Sequence, residues 1–315
     1  MEKLDNLKPG KNDIKFISRS MAGDLKLAGD LYLPDNFDES KQYPTIVFTG
    51  PFNQIKEQMG AVYGRKFAKR GFVFLAFDHQ GFGDSEGLIR NYEHTGNKIS
   101  GLQDAISFLR MHSFVDREQL FGLGACAGGN TMVYTAVGDK RLKKIALVSA
   151  LLSHTMMSFT AGGGRAKIDE KMLKANEAYQ KFYETGEVIP FDNLGMDKNK
   201  TSKVQDEREG YDYYMTARAG AETNPNYSHL GPEFFHMDWS RYSAASIGRH
   251  LGTPVMTIYG TKAGSRVLSW LFHFRAKSKD KKRVAIRGAT HVDLYDRDEY
   301  VDQAVEKIVQ FFGKN

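Results

Sequence analysis

Phe121 to Thr131 reads F-G-L-G-A-C-A-G-G-N-T, and no other stretch constrains this chain as strongly. Apolar residues run into it and a helix-like segment follows. Gly124-Ala125-Cys126-Ala127-Gly128 has the form G-x-C-x-G, the cysteine version of the G-x-S-x-G nucleophile elbow. The reactive side chain of such an elbow sits on a sharp, strained strand-to-helix turn. Small residues two before and two after let the backbone close up. The side chain then stands at a helix N-terminus, where the dipole favours a thiolate. Cys126 is the only cysteine of the chain. The elbow predicts a partly solvent-accessible thiol of depressed pKa. The competing reading is a buried structural cysteine at the end of a core strand.

With 315 residues and 41% hydrophobic content, the chain can build one large core. A single cysteine excludes an internal disulfide framework and suits a reducing compartment. The N-terminus lacks the apolar stretch of a signal peptide, and no apolar run is long enough to span a bilayer. The expectation is a soluble cytoplasmic protein with no membrane partner. Part of the net charge of +6 sits between Arg275 and Arg283. Without interleaved aromatics or a reader motif, this run reads as a solvated loop rather than a nucleic-acid site.

Along the chain, Asp13 to Arg19 and Leu25 to Leu33 read as two antiparallel strands. Thr45 to Thr49 is a buried strand ending in Gly50-Pro51-Phe52-Asn53, and Ile55 to Arg70 fits a helix. Phe72 to Phe77 is the next strand. It leads into Asp78-His79-Gln80-Gly81-Phe82-Gly83-Asp84-Ser85, a tight loop in which Asp78 reads as a loop-fixing residue more than a catalytic one. A helix from Ile99, the elbow strand and its helix, and a strand at Ile145 to Ser149 follow. From about Ser153 to Ile247 the rhythm breaks, and this stretch reads as an inserted cap, or lid, in an otherwise single domain spanning 1–315. Alternation returns with Pro254 to Tyr259, a helix near Leu268 to Ser278, the strand Arg283 to Arg287, and a last helix to Phe312. This pattern predicts an α/β fold, a mostly parallel sheet with helices on both faces. In such sheets chemistry collects at the carboxyl ends of the strands, where the elbow, Gly50-Pro51-Phe52, Asp78 and His291 all fall.

The chain resembles the α/β-hydrolases, in particular the dienelactone-hydrolase-like branch. The resemblance rests on the elbow through Gly129, on Asp78 to Ser85, and on Gly288-Ala289-Thr290-His291-Val292-Asp293-Leu294-Tyr295-Asp296. Lys56-Glu57-Gln58 also resembles a group of poorly characterised bacterial members. The resemblance implies an α/β-hydrolase sheet of about eight strands, with the nucleophile first in the chain and the histidine last. It further implies that Cys126 attacks a carbonyl to form an acyl-enzyme and that His291 handles the proton. The backbone N–H groups of Ala127 and Phe52 would form the oxyanion hole, since Pro51 has none. His291 is preferred over His79, His94, His112, His154, His229, His236, His250 and His273 because it alone follows the last strand.

Two features depart from the family pattern. The loop Gly260-Thr261-Lys262-Ala263-Gly264-Ser265 holds no carboxylate to orient the histidine. Pro51 stands where dienelactone hydrolases carry a glutamate. The orienting group is therefore expected from outside Gly260 to Ser265, as a carbonyl, a hydroxyl or a carboxylate. The reading is a cysteine hydrolase of an ester, lactone or thioester. An acyltransferase on the same site, or a catalytically weak scaffold that binds a ligand or partner, is the alternative. The expected partner is a small-molecule acyl substrate, with no cofactor and no metal. Oligomeric state stays open.

Overall fold

The computed structural model describes residues 4–20, 23–160, 163–192 and 195–313. The described residues form ten strands. They are β1 (Gly10–Ser20), β2 (Gly23–Leu33), β3 (Tyr43–Thr49), β4 (Val73–Phe77), β5 (Val115–Ala125), β6 (Lys144–Val148), β7 (Pro190–Asp192), β8 (Leu230–Pro232), β9 (Val255–Gly260) and β10 (Lys281–Ile286). Eight form one sheet in the order β1-β2-β4-β3-β5-β6-β9-β10. β1 pairs antiparallel with β2, and β2 antiparallel with β4. The remaining neighbours are parallel.

Why this sheet sits at the centre is visible in β3. Ile46 and Phe48 point into one core and Val47 into the other, the period-two alternation of a strand buried on both faces. Helix α1 (Met59–Ala68) and the C-terminal helix Asp298–Phe312 cover the first face. Helices α2 (Thr95–Leu109) and α3 (Ala127–Gly138), with helix Arg266–Arg275, cover the second. The C-terminal helix buries Val301, Ala304, Val305, Ile308, Phe311 and Phe312. That three-and-four spacing forms one apolar stripe, and each large side chain it buries contributes about 1.5–3 kcal/mol.

Two expectations shift in detail. The helix expected from Ile55 begins only at Met59. The Lys56 backbone N–H donates to Asp78 Oδ1 at 2.7 Å and the Ile55 N–H to Gln58 Oε1, so this segment is tied into a turn. The basic run is not simply a solvated loop either. Arg275 ends a helix, and Lys281 to Arg283 enter edge strand β10. There the Lys281 ammonium donates to the carbonyls of His273 and Ala276 at the helix end, while Lys282 and Arg283 lie over the rings of Phe311 and Trp270. Charged side chains on an edge strand also discourage edge-to-edge pairing.

Residues 149–254, between β6 and β9, carry no strand of the main sheet. They include α4 (His154–Thr160), α5 (Arg165–Thr185), α6 (Met196–Asn199), α7 (Gln205–Met215) and the antiparallel pair β7–β8. α5 is mostly exposed. It buries only Ala175 and Ala178, which pack on Phe234. α7 instead drives Tyr213 and Tyr214 into the main core. Among the described residues no helix is long and apolar enough to cross a membrane.

Candidate active site

β5 ends at Ala125 and α3 starts at Ala127, so Cys126 alone makes the turn, at φ 49° and ψ −119°. A positive φ at a non-glycine residue is strained and is held only where the surroundings fix it. Here the Cys126 N–H donates to Val148 O at 3.1 Å, and Cys126 O accepts from Leu151 N–H at 2.8 Å and Gly129 N–H at 3.1 Å. A side chain at position 128 would overlap the carbonyl oxygens of Thr49 and Gly50, and one at 124 would press on Met132 and Gly128. Gly128 is therefore required by backbone contact between the elbow and the end of β3, and Gly124 by the close return of α3 over β5.

The backbone N–H groups of Ala127 and Phe52, the two donors expected there, act on the Cys126 sulfur and favour its thiolate. The Phe52 loop is held from behind by an interaction the sequence did not reveal. The Asn53 N–H donates to Glu93 Oε1 at 2.6 Å, and the same oxygen accepts from the Lys98 ammonium at 2.6 Å. Both charged side chains are buried. Each neutralises the other, and the carboxylate gains a backbone donor, which is what makes a buried pair tolerable.

His291 follows β10 by five residues and borders the same cavity as Cys126. Its Nδ1 lies 2.6 Å from Ser265 Oγ, and its Nε2 lies 2.9 Å from the Tyr295 hydroxyl. Its carbonyl accepts from Ser149 Oγ at 2.9 Å. The orienting group is thus a hydroxyl, as one of the expected options, but it comes from within the Gly260 to Ser265 loop, not from outside it. A search for an acid passes over Ser265 because a serine carries no charge to flag it. Asp293 accepts from the Thr290 N–H at 2.9 Å and makes no bond to the imidazole.

The thiol departs from expectation. Cys126 is only 6% exposed, and burial raises its pKa to about 11. The N–H groups of Ala127 and Phe52, and the Tyr295 O–H when it turns toward sulfur instead of His291, favour the thiolate but are outweighed. Burial likewise lowers His291 to about 4. The resting site is therefore a neutral thiol beside a neutral imidazole. Neither group supplies a charge to stabilise the other, and little water reaches either.

The competing residues find other work. Asp78 accepts from the Lys56 N–H, the Lys56 ammonium and the Asp84 N–H, the loop-fixing role read from the sequence. The carboxylates of Glu57, Asp78 and Asp84 converge, with the Lys56 ammonium bonded to all three. His79 bonds Thr49 Oγ1 at 2.9 Å, and His154 stacks on Trp239 with ring centroids 3.6 Å apart. His236 also lines the cavity, with its ring against Phe235.

The cavity at Cys126 has a volume of about 340 Å³. Phe52, Leu151, Val292, His291 and Tyr295 form its floor. Residues 157–240, including Met157, Ile168, Met172, Tyr214, Phe235 and Trp239, form most of its wall. It shares Ser158, Ile168, Met172 and Ser240 with a wider cavity of about 810 Å³, which Arg165, Arg241 and Arg275 border. From α7, Asp206 Oδ2 accepts the Gly264 N–H at 2.9 Å, one residue before Ser265.

The family model of the X-Pro dipeptidyl-peptidases (S15 family) matches residues 23–292. The uncharacterized protein YcjY of Escherichia coli is 30% identical over 91% of this chain and 94% of its own length. The thiohydrolase aneE of Aspergillus aculeatus is 26% identical over 71% of this chain and 67% of its own. The crystal structure of the α/β hydrolase GrgF from Penicillium covers 96% of this chain and 97% of its own, with a TM-score of 0.78 at 19% identity. In sequence that protein, named a polyketide transferase, is 28% identical over 38% of this chain and 40% of its own. The sheet agrees with an α/β-hydrolase fold, and the match over residues 23–292 shows that the chain belongs to the S15 family, a family of the α/β-hydrolase type.

Proposed function

We propose that this protein forms an acyl-enzyme on Cys126 and hydrolyses or transfers the acyl group of an ester, lactone or thioester. One observation carries the reading: a cysteine held at positive φ between strand and helix, with two backbone N–H groups on its sulfur and a histidine bordering the same cavity. In this reading Cys126 attacks the carbonyl carbon and the oxygen becomes an oxyanion. As the sulfur joins the substrate, the N–H groups of Phe52 and Ala127 pass from sulfur to that oxyanion. His291 receives the thiol proton and returns it to the leaving group. Residues 153–247 act as the cap and supply most of the substrate contacts. S15 peptidases use serine, so a cysteine at this position is a departure within the family. The names thiohydrolase and polyketide transferase among the relatives favour acyl chemistry on thioesters over peptide cleavage. The outer cavity, bordered by Arg241 and Arg275 beside an Arg165–Asp169 ion pair, suits a leaving group with an anionic arm.

The neutral thiol and the absence of a carboxylate on His291 favour a second reading, a weakly catalytic scaffold that binds ligand through the cap. A panel of acyl esters, lactones and thioesters, read by turnover and by intact mass, separates the two. The expected result is an acyl adduct and turnover in wild type, neither in Cys126→Ala, and at least a hundredfold loss in Cys126→Ser, whose alcohol needs a stronger base. No adduct and equal rates in wild type and Cys126→Ala would leave the scaffold reading.

A further inference from the structure

Among the described residues no hydrogen bond joins the Cys126 sulfur to the His291 ring, although both border one cavity. A third group stands between them. Tyr295 lies one helical turn beyond His291, on the short helix Asp293–Asp296, and is almost fully buried. Its hydroxyl is 2.9 Å from His291 Nε2, and its side chain borders the cavity together with Cys126, with which it interacts electrostatically. We propose that the Tyr295 hydroxyl is a catalytic group that carries the proton between Cys126 and His291. The proposal rests on the acyl-enzyme reading above and deepens it.

The surroundings hold this hydroxyl in one place. The Tyr63 hydroxyl donates to Leu294 O at 2.8 Å, fixing the short helix from the main core. Arg218 grips Asp296 through two nitrogens. Tyr213 packs edge-on against the Tyr295 ring, with centroids 5.1 Å apart. Such a tyrosine cannot readily swing out to let His291 meet the sulfur directly. His291 is matched to the role. A neutral imidazole offers one donor and one acceptor. With Nδ1–H donating to Ser265 Oγ, Nε2 is left to accept from the Tyr295 O–H.

The step balances as follows. The sulfur–carbon bond forms and the carbonyl π pair moves onto oxygen. The S–H proton passes to the Tyr295 oxygen as the tyrosine's own proton passes to His291 Nε2. The tyrosine begins and ends neutral, the imidazole becomes imidazolium, and the substrate oxygen carries the negative charge. Collapse of the adduct expels the leaving group, and the proton returns from Nε2 through Tyr295 to it. Burial holds the Tyr295 pKa well above its ordinary value, so a free tyrosinate is disfavoured and the two transfers must be coupled. Water, or another acceptor, attacks the acyl-enzyme by the same route.

The test compares wild type, Tyr295→Phe and Cys126→Ala on one activated acyl ester. It reads the acylation rate, KM, and the dependence of the rate on the deuterium fraction of the solvent. General acid–base groups typically contribute about 10²–10⁴-fold. Tyr295→Phe should therefore lose about a hundredfold in acylation rate with KM within about threefold. The solvent dependence should be bowed in wild type, where two protons move, and linear in the variant. Loss of rate with the bowed dependence retained would mean a packing role and overturn the relay. So would a Tyr295→Phe rate equal to or above wild type, which would make the tyrosine a spacer or a plug. Should Tyr295→Phe fail to fold, a fluorotyrosine at position 295 keeps the shape while acidifying the phenol. A changed pH–rate profile supports the relay, and an unchanged one overturns it. Full activity in Cys126→Ala would sink the acyl-enzyme reading itself, whatever Tyr295 does.

Discussion

The two halves of the site are built from different materials. The Cys126 half is made of backbone: a strained turn, two N–H groups and glycines that admit a neighbouring chain. The His291 half is made of side-chain hydroxyls, from Ser265 on one nitrogen and Tyr295 on the other. A backbone-built half tolerates almost no change at its glycines, because the contact is between main chains. A side-chain-built half can be retuned one atom at a time. This difference sets how each half should respond to mutation.

The largest effect is expected at Gly128. Gly128→Ala would drive a methyl into the carbonyls of Thr49 and Gly50 and displace the loop that carries the Phe52 N–H. Overpacking of this kind costs about 1–3 kcal/mol, and misplacing a reacting group by about 1 Å can cost about a hundredfold in rate. Turnover and urea unfolding of the variant check both. A variant near wild type on both would show that the elbow is not closely packed. On the other half, Ser265→Ala should lower kcat by about tenfold, because the ring loses its orienting partner but keeps its place. Ser265→Asp should instead move the acid limb of the pH–rate profile upward, since a carboxylate on Nδ1 favours the imidazolium. Identical profiles for wild type and Ser265→Asp would show that Ser265 does not set the state of His291.

The smallest effect is one of stability. Burial depresses His291 to about 4 from an ordinary 6.5. The unfolded chain therefore takes up a proton below about pH 6.5 that the native site refuses until about pH 4. Stability from this group is complete at neutral pH and is lost as pH falls through that window. The loss amounts to about 3 kcal/mol for a fully buried imidazole. His291→Gln lacks it, so wild type should lose about that much more stability than the variant between pH 7 and pH 4. Equal losses would mean that His291 is already charged in the native protein.

The same contrast explains what could be read in advance. The strands of the main sheet announced themselves as apolar runs, and the elbow as glycines at fixed offsets around Cys126. Phe52 and Ala127 followed from the elbow by counting. The place of His291 after the last strand singles it out among the histidines, and it borders the cavity that Cys126 borders. Ser265 carries no signal of its role, because a serine in a loop has many ordinary roles and no charge to mark it as the partner of a histidine. Tyr295 stands in the histidine motif without a legible function, since i+4 spacing gives a shared helical face only where a short helix forms. The Glu93–Lys98 pair beneath Asn53 joins residues 40 positions apart, from Asn53 to Glu93, and carries no local signal. The direction of the Cys126 shift was misjudged because motif reasoning counts the helix dipole and the histidine. The deciding influence, removal from water, depends on residues 157–240 folding over the sulfur.

One bond joins that covering segment to the chemistry below it. Asp206 of α7 holds the Gly264 N–H, and the next residue is the one that bonds His291. Binding and alignment are thereby linked in the thermodynamic sense: whatever seats α7 over the cavity also steadies the imidazole, and a steadied imidazole favours the seated α7 to the same degree. A ligand that fills the cavity without touching His291 would still report to it.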